Sequence, residues 1–263
     1  MKKYLYIFKS ELMTNLQYTF DILVGFISYI IMIFIFLNLW QYIYSDPSEV
    51  IKGYTMNQMI WYVIVTEIVW MSLDGRSLSK KICNDVKSGN ITYNIIKPYH
   101  YVEYILFNHL GTYVIRFLFL GILGIVLGFF YLGSFPNVSI LSILGVLLSC
   151  LFAAIISIFH IIIIGLLSFY IEDAHPFYWL YSKFILVLGT IFPIEFFPKL
   201  VQPIIHYSPV FAVSTAPAKL FVNFTSFGFI ETIIIQLIHF LIAFLIAHLI
   251  YMKGVRKINV NGG

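Results

Sequence analysis

Charged residues are scarce in this chain of 263 residues. Lys and Arg number 16 and Asp and Glu 12, so charged side chains make up 11% of the sequence, whereas soluble domains carry about 25%. Apolar residues make up 60%, against about 45–50% in soluble domains. So few charges cannot cover the surface of a soluble domain of this size. The composition excludes a soluble protein and indicates an integral membrane protein.

Cysteine and nucleotide-binding motifs are also scarce or missing. Cys83 and Cys150 are too few and too far apart for a disulfide framework or a cysteine-based zinc site. The net charge of +4 is modest and the basic residues lie at the ends of apolar runs, so nucleic acid is not an expected partner. No G-x-x-x-x-G-K-[ST] sequence occurs, so we expect ATP hydrolysis to lie outside this chain.

The chain has seven histidines, but none of them belongs to an H-E-x-x-H zinc-binding pattern. His100 and Glu103 are three residues apart, but the other histidines are scattered along the chain. His239 and His248 are nine residues apart, which places them on opposite sides of a helix. We therefore expect no metal site and no catalytic residue in this chain.

Six apolar runs approach or exceed the length of about 20 helical residues that crosses a bilayer core. They are Ile22–Tyr44, Asn57–Leu73, Ile105–Leu132, Ser139–Tyr170, Phe177–Phe192 and Ile230–Met252. They predict an all-α polytopic membrane fold, a single transmembrane domain with six transmembrane helices. The fourth run would be about 48 Å long as a helix, so we expect it to tilt or to project from the bilayer.

Residues 1–21 predict an amphipathic helix in the membrane interface. Leu5, Phe8, Leu12 and Leu16 fall on one helical face, with Lys2 and Lys9 beyond it. The alternative is a cytosolic extension of the first span. No apolar run is followed here by a small-residue cleavage site, so we expect no signal peptide.

The distribution of basic residues predicts the orientation, because cytoplasmic connections are enriched in Lys and Arg. With the N-terminus inside, the outer segments contain only Lys52, Lys199 and Lys219. The inner segments contain the larger set, Lys2, Lys3, Lys9, Arg76, Lys80, Lys81, Lys87, Lys97, Lys253, Arg256 and Lys257. Both termini are therefore predicted to be cytoplasmic, in a multi-pass protein of the cell membrane.

The inner connection, residues 74–104, alternates apolar and basic positions. It predicts a short helix with a turn at Ser88-Gly89-Asn90. We interpret it as a docking element for a cytosolic partner. The alternative is a solvated basic loop held at anionic headgroups.

The outer connection, residues 193–229, contains five of the nine prolines and is nevertheless largely apolar. Proline interrupts a helix, and an irregular backbone is tolerated at membrane depth only where protein surrounds it or where it lines a cavity. This predicts short re-entrant helices, and the alternative is a loop lying flat on the headgroups. The residues that we assign to this element are Pro193, Glu195, Phe196, Phe197, Pro198 and Pro209.

Five residues within the predicted spans are candidates for a transport path, namely Trp61, Tyr62, Glu67, Trp70 and Arg116. Glu67 and Arg116 are the two deepest charges, and a charge near mid-bilayer costs about 2.5–3.5 kcal/mol on insertion scales. Each should therefore find a partner or water. We predict that they form an ion pair between the second and third spans, the alternative being that each faces a wet cavity separately. Gly124 and Gly128 have the spacing of close helix packing, either within the chain or at a subunit interface.

Three sequence features together resemble permease subunits of ABC-2 type ATP-binding-cassette exporters, and most of all a six-span branch of that family. They are the basic amphipathic start, the inner stretch Asp85-Val86-Lys87-Ser88-Gly89-Asn90-Ile91 followed by Ile96-Lys97-Pro98, and the outer stretch Phe192-Pro193-Ile194-Glu195-Phe196-Phe197-Pro198. The resemblance extends over almost the whole chain. The sequence departs from it at Pro209-Val210-Phe211, where relatives tend to have adjacent Pro and Phe, so the end of the re-entrant element is expected to differ.

The resemblance implies a permease that pairs with a second permease subunit, identical or homologous, and with cytosolic ATPase subunits that bind ATP and Mg²⁺. It implies outward transport, with a coupling helix in the first inner loop. By position, the coupling residues are Asp85, Gly89, Asn90, Ile91, Tyr93, Ile95, Lys97 and Pro98. We expect Ile91, Tyr93 and Ile95 to be buried by the ATPase, and we expect an apolar or amphiphilic substrate. An ion-coupled secondary transporter and an intramembrane transferase are the alternative functions.

Overall fold

The computed structural model describes residues 2–17, 19–46, 48–136 and 139–261, and almost all regular structure in them is helical. A two-stranded antiparallel hairpin, β1 (Val50–Ile51) and β2 (Tyr54–Thr55), is the sheet among these residues. The α-helices are α1 (Lys2–Gln17), α2 (Thr19–Ile43), α3 (Met56–Ser72), α4 (Gly75–Lys87), α5 (Asn90–Ile95), α6 (Tyr101–Leu132), α7 (Ile140–Leu166), α8 (His175–Ile185), α9 (Gln202–His206), α10 (Ala216–Val222) and α11 (Ser226–Asn261).

Among the described residues, four helices are long and apolar enough to cross a membrane. They cover Val24–Ile43, Tyr101–Leu132, Ile140–Phe169 and Ser226–Lys257. The other two predicted spans correspond to α3, which has 17 residues, and to α8, which continues as a π-helical turn over Leu186–Ile191. The prediction of an all-α polytopic membrane fold is confirmed, and the count of six spans stays a prediction.

Helix α3 lies at the centre of the fold. Every residue from Met59 to Val69 is buried, because α2, α6, α7, α10 and the Leu186–Ile191 turn pack around it. Apart from Thr66 and Glu67, the buried stretch is apolar on every side of the helix, which is typical of such a central position. By contrast, α2 and α6 keep large apolar side chains exposed, such as Phe34 at 58% and Phe130 at 81%, as expected of surfaces that face lipid or another membrane subunit.

Two glycines of α6 allow this helix to approach α3 and α2 closely. A Cβ atom at Gly128 would lie 2.3 Å from the Trp61 ring, and one at Gly124 would lie 2.5 Å from the Tyr29 hydroxyl. The small residues therefore serve close packing within the chain.

Helix α1 lies along the beginning of α6 and runs in the same direction. The Lys3 ammonium donates a hydrogen bond to the Pro98 carbonyl, and further along Asn15 Nδ2 donates to Thr112 Oγ1 over 3.2 Å. Gly111 permits this approach, because a Cβ there would lie 2.8 Å from the Phe8 carbonyl oxygen. Of the apolar face predicted from the sequence, Phe8 packs on the protein while Leu5 and Leu16 stay exposed.

The orientation can be tested with single cysteines at Asn90 and Ser226, which are both exposed. If the inner and outer segments are assigned correctly, a membrane-impermeant maleimide should label the Ser226→Cys chain in sealed cells and the Asn90→Cys chain only after permeabilisation. The native chain is the control, because Cys83 and Cys150 are buried. Labelling of both positions from the same side would refute the predicted topology.

Candidate coupling surface and substrate path

The inner segment, residues 74–104, packs closely against the helical core. Helix α4 buries Leu78, Ile82 and Cys83, and it packs against α7 and α8. Gly165 of α7 makes the close contact with α4 possible, because a Cβ there would lie 2.6 Å from Ile82 Cγ2. The segment is therefore a packed pair of helices rather than a solvated loop.

The turn predicted at Ser88-Gly89-Asn90 separates α4 from α5. Gly89 has φ of 75°, a left-handed conformation that favours glycine. The Thr92 hydroxyl donates a hydrogen bond of 2.6 Å to the Gly89 carbonyl and closes the first turn of α5. Ile91 is fully buried in the core that α4, α6 and α7 share, so α5 is anchored at its start.

The burial of Ile91 corrects one prediction. We expected Ile91, Tyr93 and Ile95 to face the ATPase, but Ile91 is 0% exposed within the chain itself and cannot be a contact for a partner. Tyr93 and Ile95 are exposed, and Ile96, which was not among the predicted coupling residues, is 82% exposed. We call Tyr93, Ile95 and Ile96 the apolar strip.

The other predicted coupling residues connect the strip to neighbouring helices. The Tyr101 hydroxyl donates a hydrogen bond of 2.8 Å to Asp85 Oδ2 and joins α4 to α6. The Lys97 ammonium lies 5.7 Å from the centre of the Tyr99 ring, and Pro98 is held by Lys3 of α1. These contacts join the inner segment to α1 and α6.

The predicted ion pair between Glu67 and Arg116 is wrong. Arg116 Nη2 lies 3.1 Å from Asp74 Oδ2 instead. The reason is the relative height of the helices. Gly128 of α6 lies against Trp61 of α3. Because the two helices are antiparallel, a step of twelve residues from each of these positions leads to Arg116 and to Leu73, so Arg116 lies level with Asp74 and not with Glu67.

Arg116 and Asp74 line a cleft of about 440 Å³ between α2, α3 and α6. Val24 and Ser28 of α2 form its opposite wall. Glu67 does not line this cleft. It is 1% exposed, and its Oε1 has no hydrogen-bond partner among the described residues. The two deep charges therefore occupy separate environments.

A second cavity, of about 390 Å³, is entirely apolar and lies between α3, α6, α7 and α10. Trp61, Phe117, Val146 and Phe221 are among the side chains that line it. Tyr62 and Trp70 line neither cavity. The Tyr62 hydroxyl donates a hydrogen bond of 2.6 Å to the Gly189 carbonyl, and Trp70 packs against Tyr181. The five predicted path residues are thus not brought together at one site.

The interior contains a layer of small polar side chains that sequence reasoning missed. It forms where the π-helical turn Leu186–Ile191 meets a second π-helical turn, Phe211–Thr215. The hydroxyls of Thr190 and Ser214 lie 3.3 Å apart, and the Gln236 amide donates to the carbonyls of Ser149 and Ala212. Single π-helical turns often mark functional sites. No local pattern in the sequence distinguishes them from ordinary α-helix.

The outer segment, residues 193–229, is made of short helices, as predicted. Most of its second half, from Phe211 to Val222, is buried. The π-helical turn Phe211–Thr215 and α10 both pack against α3 and α7. The backbone from Pro209 to Val222 is continuously helical. Pro209 begins this helix, where a missing N–H is tolerated. Val210, which separates Pro209 from Phe211 where relatives tend to have adjacent Pro and Phe, therefore lies in the first turn of a helix.

A charged cluster ties the first half of the outer segment to the rest of the fold. Glu195 Oε1 lies 2.6 Å from the Lys219 ammonium, and the Tyr54 hydroxyl donates to Glu195 Oε2 over 3.0 Å. Burial alone would raise the pKa of Glu195, but the Lys219 charge and these hydrogen bonds lower it below its ordinary value.

Aromatic contacts and main-chain bonds hold the prolines and phenylalanines of this half. Phe196 packs edge-on against Trp40 of α2 at 5.4 Å between ring centres, and Phe192 packs against Phe197. Pro193 precedes the 3-10 turn Ile194–Phe196, and the Pro198 carbonyl accepts a hydrogen bond from the Val201 N–H. The six predicted outer residues thus lie in folded structure, at the 3-10 turn and at the start of the helix that begins at Pro209, and their re-entrant role stays a prediction.

The chain is similar in sequence to a known family of membrane proteins. Residues 13–262 match the family described as ABC-2 family transporter protein. The chain belongs to the ABC-2 transporter family. No curated protein matches it. As an ABC-2 permease it is the membrane component of a transporter, and permeases of this family generally work with an ATPase subunit.

Proposed function

We propose that this ABC-2 permease moves an apolar or amphiphilic substrate outward across the cell membrane, driven by cytosolic ATPase subunits that dock on the inner segment. ATP and Mg²⁺ would bind to those subunits and not to this chain. A second permease subunit, identical or homologous, would complete the transporter.

The observation that carries the proposal is the apolar strip at the tip of the inner segment. Tyr93 and Ile96 expose 67% and 82% of their surfaces, although Ile91 beside them is fully buried. Exposed apolar groups on a rigid support are typical of a protein interface, whose binding energy is concentrated in a few buried contacts. Exposed basic residues on the same segment, such as Lys80 and Lys97, suit an acidic rim on the partner.

The apolar cavity and the charged cleft support an apolar or amphiphilic substrate. The apolar cavity beside Trp61 would accept a hydrocarbon or aromatic group, and the cleft at Arg116 and Asp74 offers charge to a polar head. The cleft opens beside α2, and a single chain does not enclose it. A second permease subunit packed against the exposed apolar face of α2 would supply the missing wall.

The docking proposal predicts that Tyr93→Asp combined with Ile96→Asp abolishes ATPase association. Two carboxylates would have to be buried at an apolar contact, so recovery of the co-expressed ATPase should fall about tenfold or more. The measurement is co-purification from membranes, together with transport-coupled ATP hydrolysis in proteoliposomes.

Asn84→Asp is the matched control, because it adds a carboxylate to an exposed position of the adjoining helix α4 without removing an apolar group or a predicted coupling residue. It should leave association within about twofold of the native chain. Ile91→Asp, by contrast, should reduce the amount of folded protein, because Ile91 is a core residue. Normal ATPase recovery and transport with the double variant would contradict the proposal.

A further inference from the structure

Two histidines and a glutamate converge at the inner end of the helical bundle. His100 precedes α6, Glu103 is in its first turn, and His248 comes from α11. One potential ligand atom from each lies within 4.8 Å of the other two. The two imidazole rings stack at 5.0 Å between centres, and the Tyr251 ring closes one side. The expectation that the histidines are scattered is therefore wrong at this place.

The hydrogen bonds fix the chemistry of His248. Its Nδ1 lies 2.8 Å from the Phe244 carbonyl oxygen, and a carbonyl can only accept, so Nδ1 carries a proton. In the neutral imidazole Nε2 is then a bare lone pair, yet it lies 2.8 Å from Glu103 Oε1, another acceptor. Two acceptors at this distance need a cation or a proton between them.

His100 presents the same arrangement from the other side of the carboxylate. Its Nδ1 contacts Glu103 Oε2, but both atoms are buried and neither has a hydrogen bond of good geometry among the described residues. Its backbone N–H donates to the Tyr4 hydroxyl over 3.1 Å, so α1 fixes the position of this residue. Both histidines therefore direct a nitrogen at one carboxylate.

We propose that His100, Glu103 and His248 bind a divalent transition-metal ion of the Zn²⁺ class. Two imidazoles and one carboxylate are a ligand set that zinc uses with a fourth position left for water. Tetrahedral coordination at about 2.1 Å separates ligand atoms by about 3.4 Å, so small side-chain rotations bring the three atoms into place. The Phe244 carbonyl is the outer partner that orients a metal-binding imidazole.

The site is accessible to an ion and lies where it would matter mechanically. The three side chains are 36%, 26% and 17% exposed for His100, Glu103 and His248. A bound ion would join α11 to the start of α6, directly after the apolar strip and its connection to α1. The metal site is independent of the proposed export function.

The test uses the full chain, purified without a polyhistidine tag, stripped of metal and kept in detergent. Titration of Zn²⁺ against a chromophoric chelator should show one ion per chain, and Co²⁺ should give the visible absorption of a tetrahedral site. His248→Ala and His100→Ala should each weaken Zn²⁺ binding at least about tenfold. Zn²⁺ should also raise the melting temperature of the native chain and not that of the variants.

His239→Ala is the matched control. His239 lies on the same helix as His248, is half-buried and contacts the Tyr207 carbonyl instead, so its loss should leave Zn²⁺ affinity unchanged. If His248→Ala reduces the yield of folded protein, His100→Ala serves by itself, because it removes a partly exposed side chain. Absence of Zn²⁺ binding to the native chain, or equal affinity in the native, His100→Ala and His248→Ala chains, would overturn the proposal.

Discussion

Gly128→Ala should lower the free energy of unfolding by about 2 kcal/mol or more relative to Gly121→Ala on the same helix. The added methyl group at position 128 would lie 2.3 Å from the Trp61 ring. That ring cannot move aside easily, because its Nε1 donates to the Ser134 carbonyl over 3.1 Å and it stacks on Phe135. The helices α3 and α6 would have to separate.

Gly121 is the matched control, because nothing lies within 4 Å of a Cβ atom there. Alanine at that position should be neutral or stabilising, since alanine is favoured over glycine in a helix by about 1 kcal/mol. Thermal or denaturant unfolding of the two purified variants gives the comparison. Equal stability of the two would mean that α3 and α6 are not packed as described.

The second large effect is expected at Asp74 and Arg116. Removing either charge by Asp74→Asn or Arg116→Gln should destabilise the chain, and the double variant should lose less than the sum of the two. An interaction energy of about 0.5–3 kcal/mol is typical of contacting residues. The side chains are only 29% and 25% exposed, so solvent screens the pair incompletely.

The same measurement with Glu67→Gln in place of Asp74→Asn distinguishes the observed pair, Asp74 with Arg116, from the predicted pair, Glu67 with Arg116. Glu67 and Arg116 do not pair, so the losses from Glu67→Gln and Arg116→Gln should add within about 0.5 kcal/mol. Additive losses for Asp74 with Arg116, or a strong interaction energy for Glu67 with Arg116, would refute the described ion pair.

The sequence predicted those features that depend on local pattern. Apolar runs gave the long helices α2, α6, α7 and α11, and the Gly89 turn followed from a residue that tolerates positive φ. The family resemblance is confirmed over residues 13–262, whereas the assignment of inner and outer segments, made from the basic residues, stays a prediction.

Features that depend on tertiary contacts could not be predicted in this way. Ile91 looks like any other apolar residue of its segment, and its burial follows only from the docking of α4 and α5 on α7. The partner of Arg116 depended on how α3 and α6 are aligned along their length, for which the sequence has no signal. His248 lies 145 residues from Glu103, and no spacing rule links positions so far apart.

The parallel contact between α1 and α6 has a consequence for biosynthesis. Chains are made from the N-terminus and fold as they emerge, but α1 contacts residues 98–112 and makes no buried core of its own. Helix α1 therefore cannot dock until residues 98–112, which lie about a hundred positions later in the chain, have been translated. We expect it to stay undocked while α2 and α3 are made, and to pack against the chain only when the start of α6 has been synthesised.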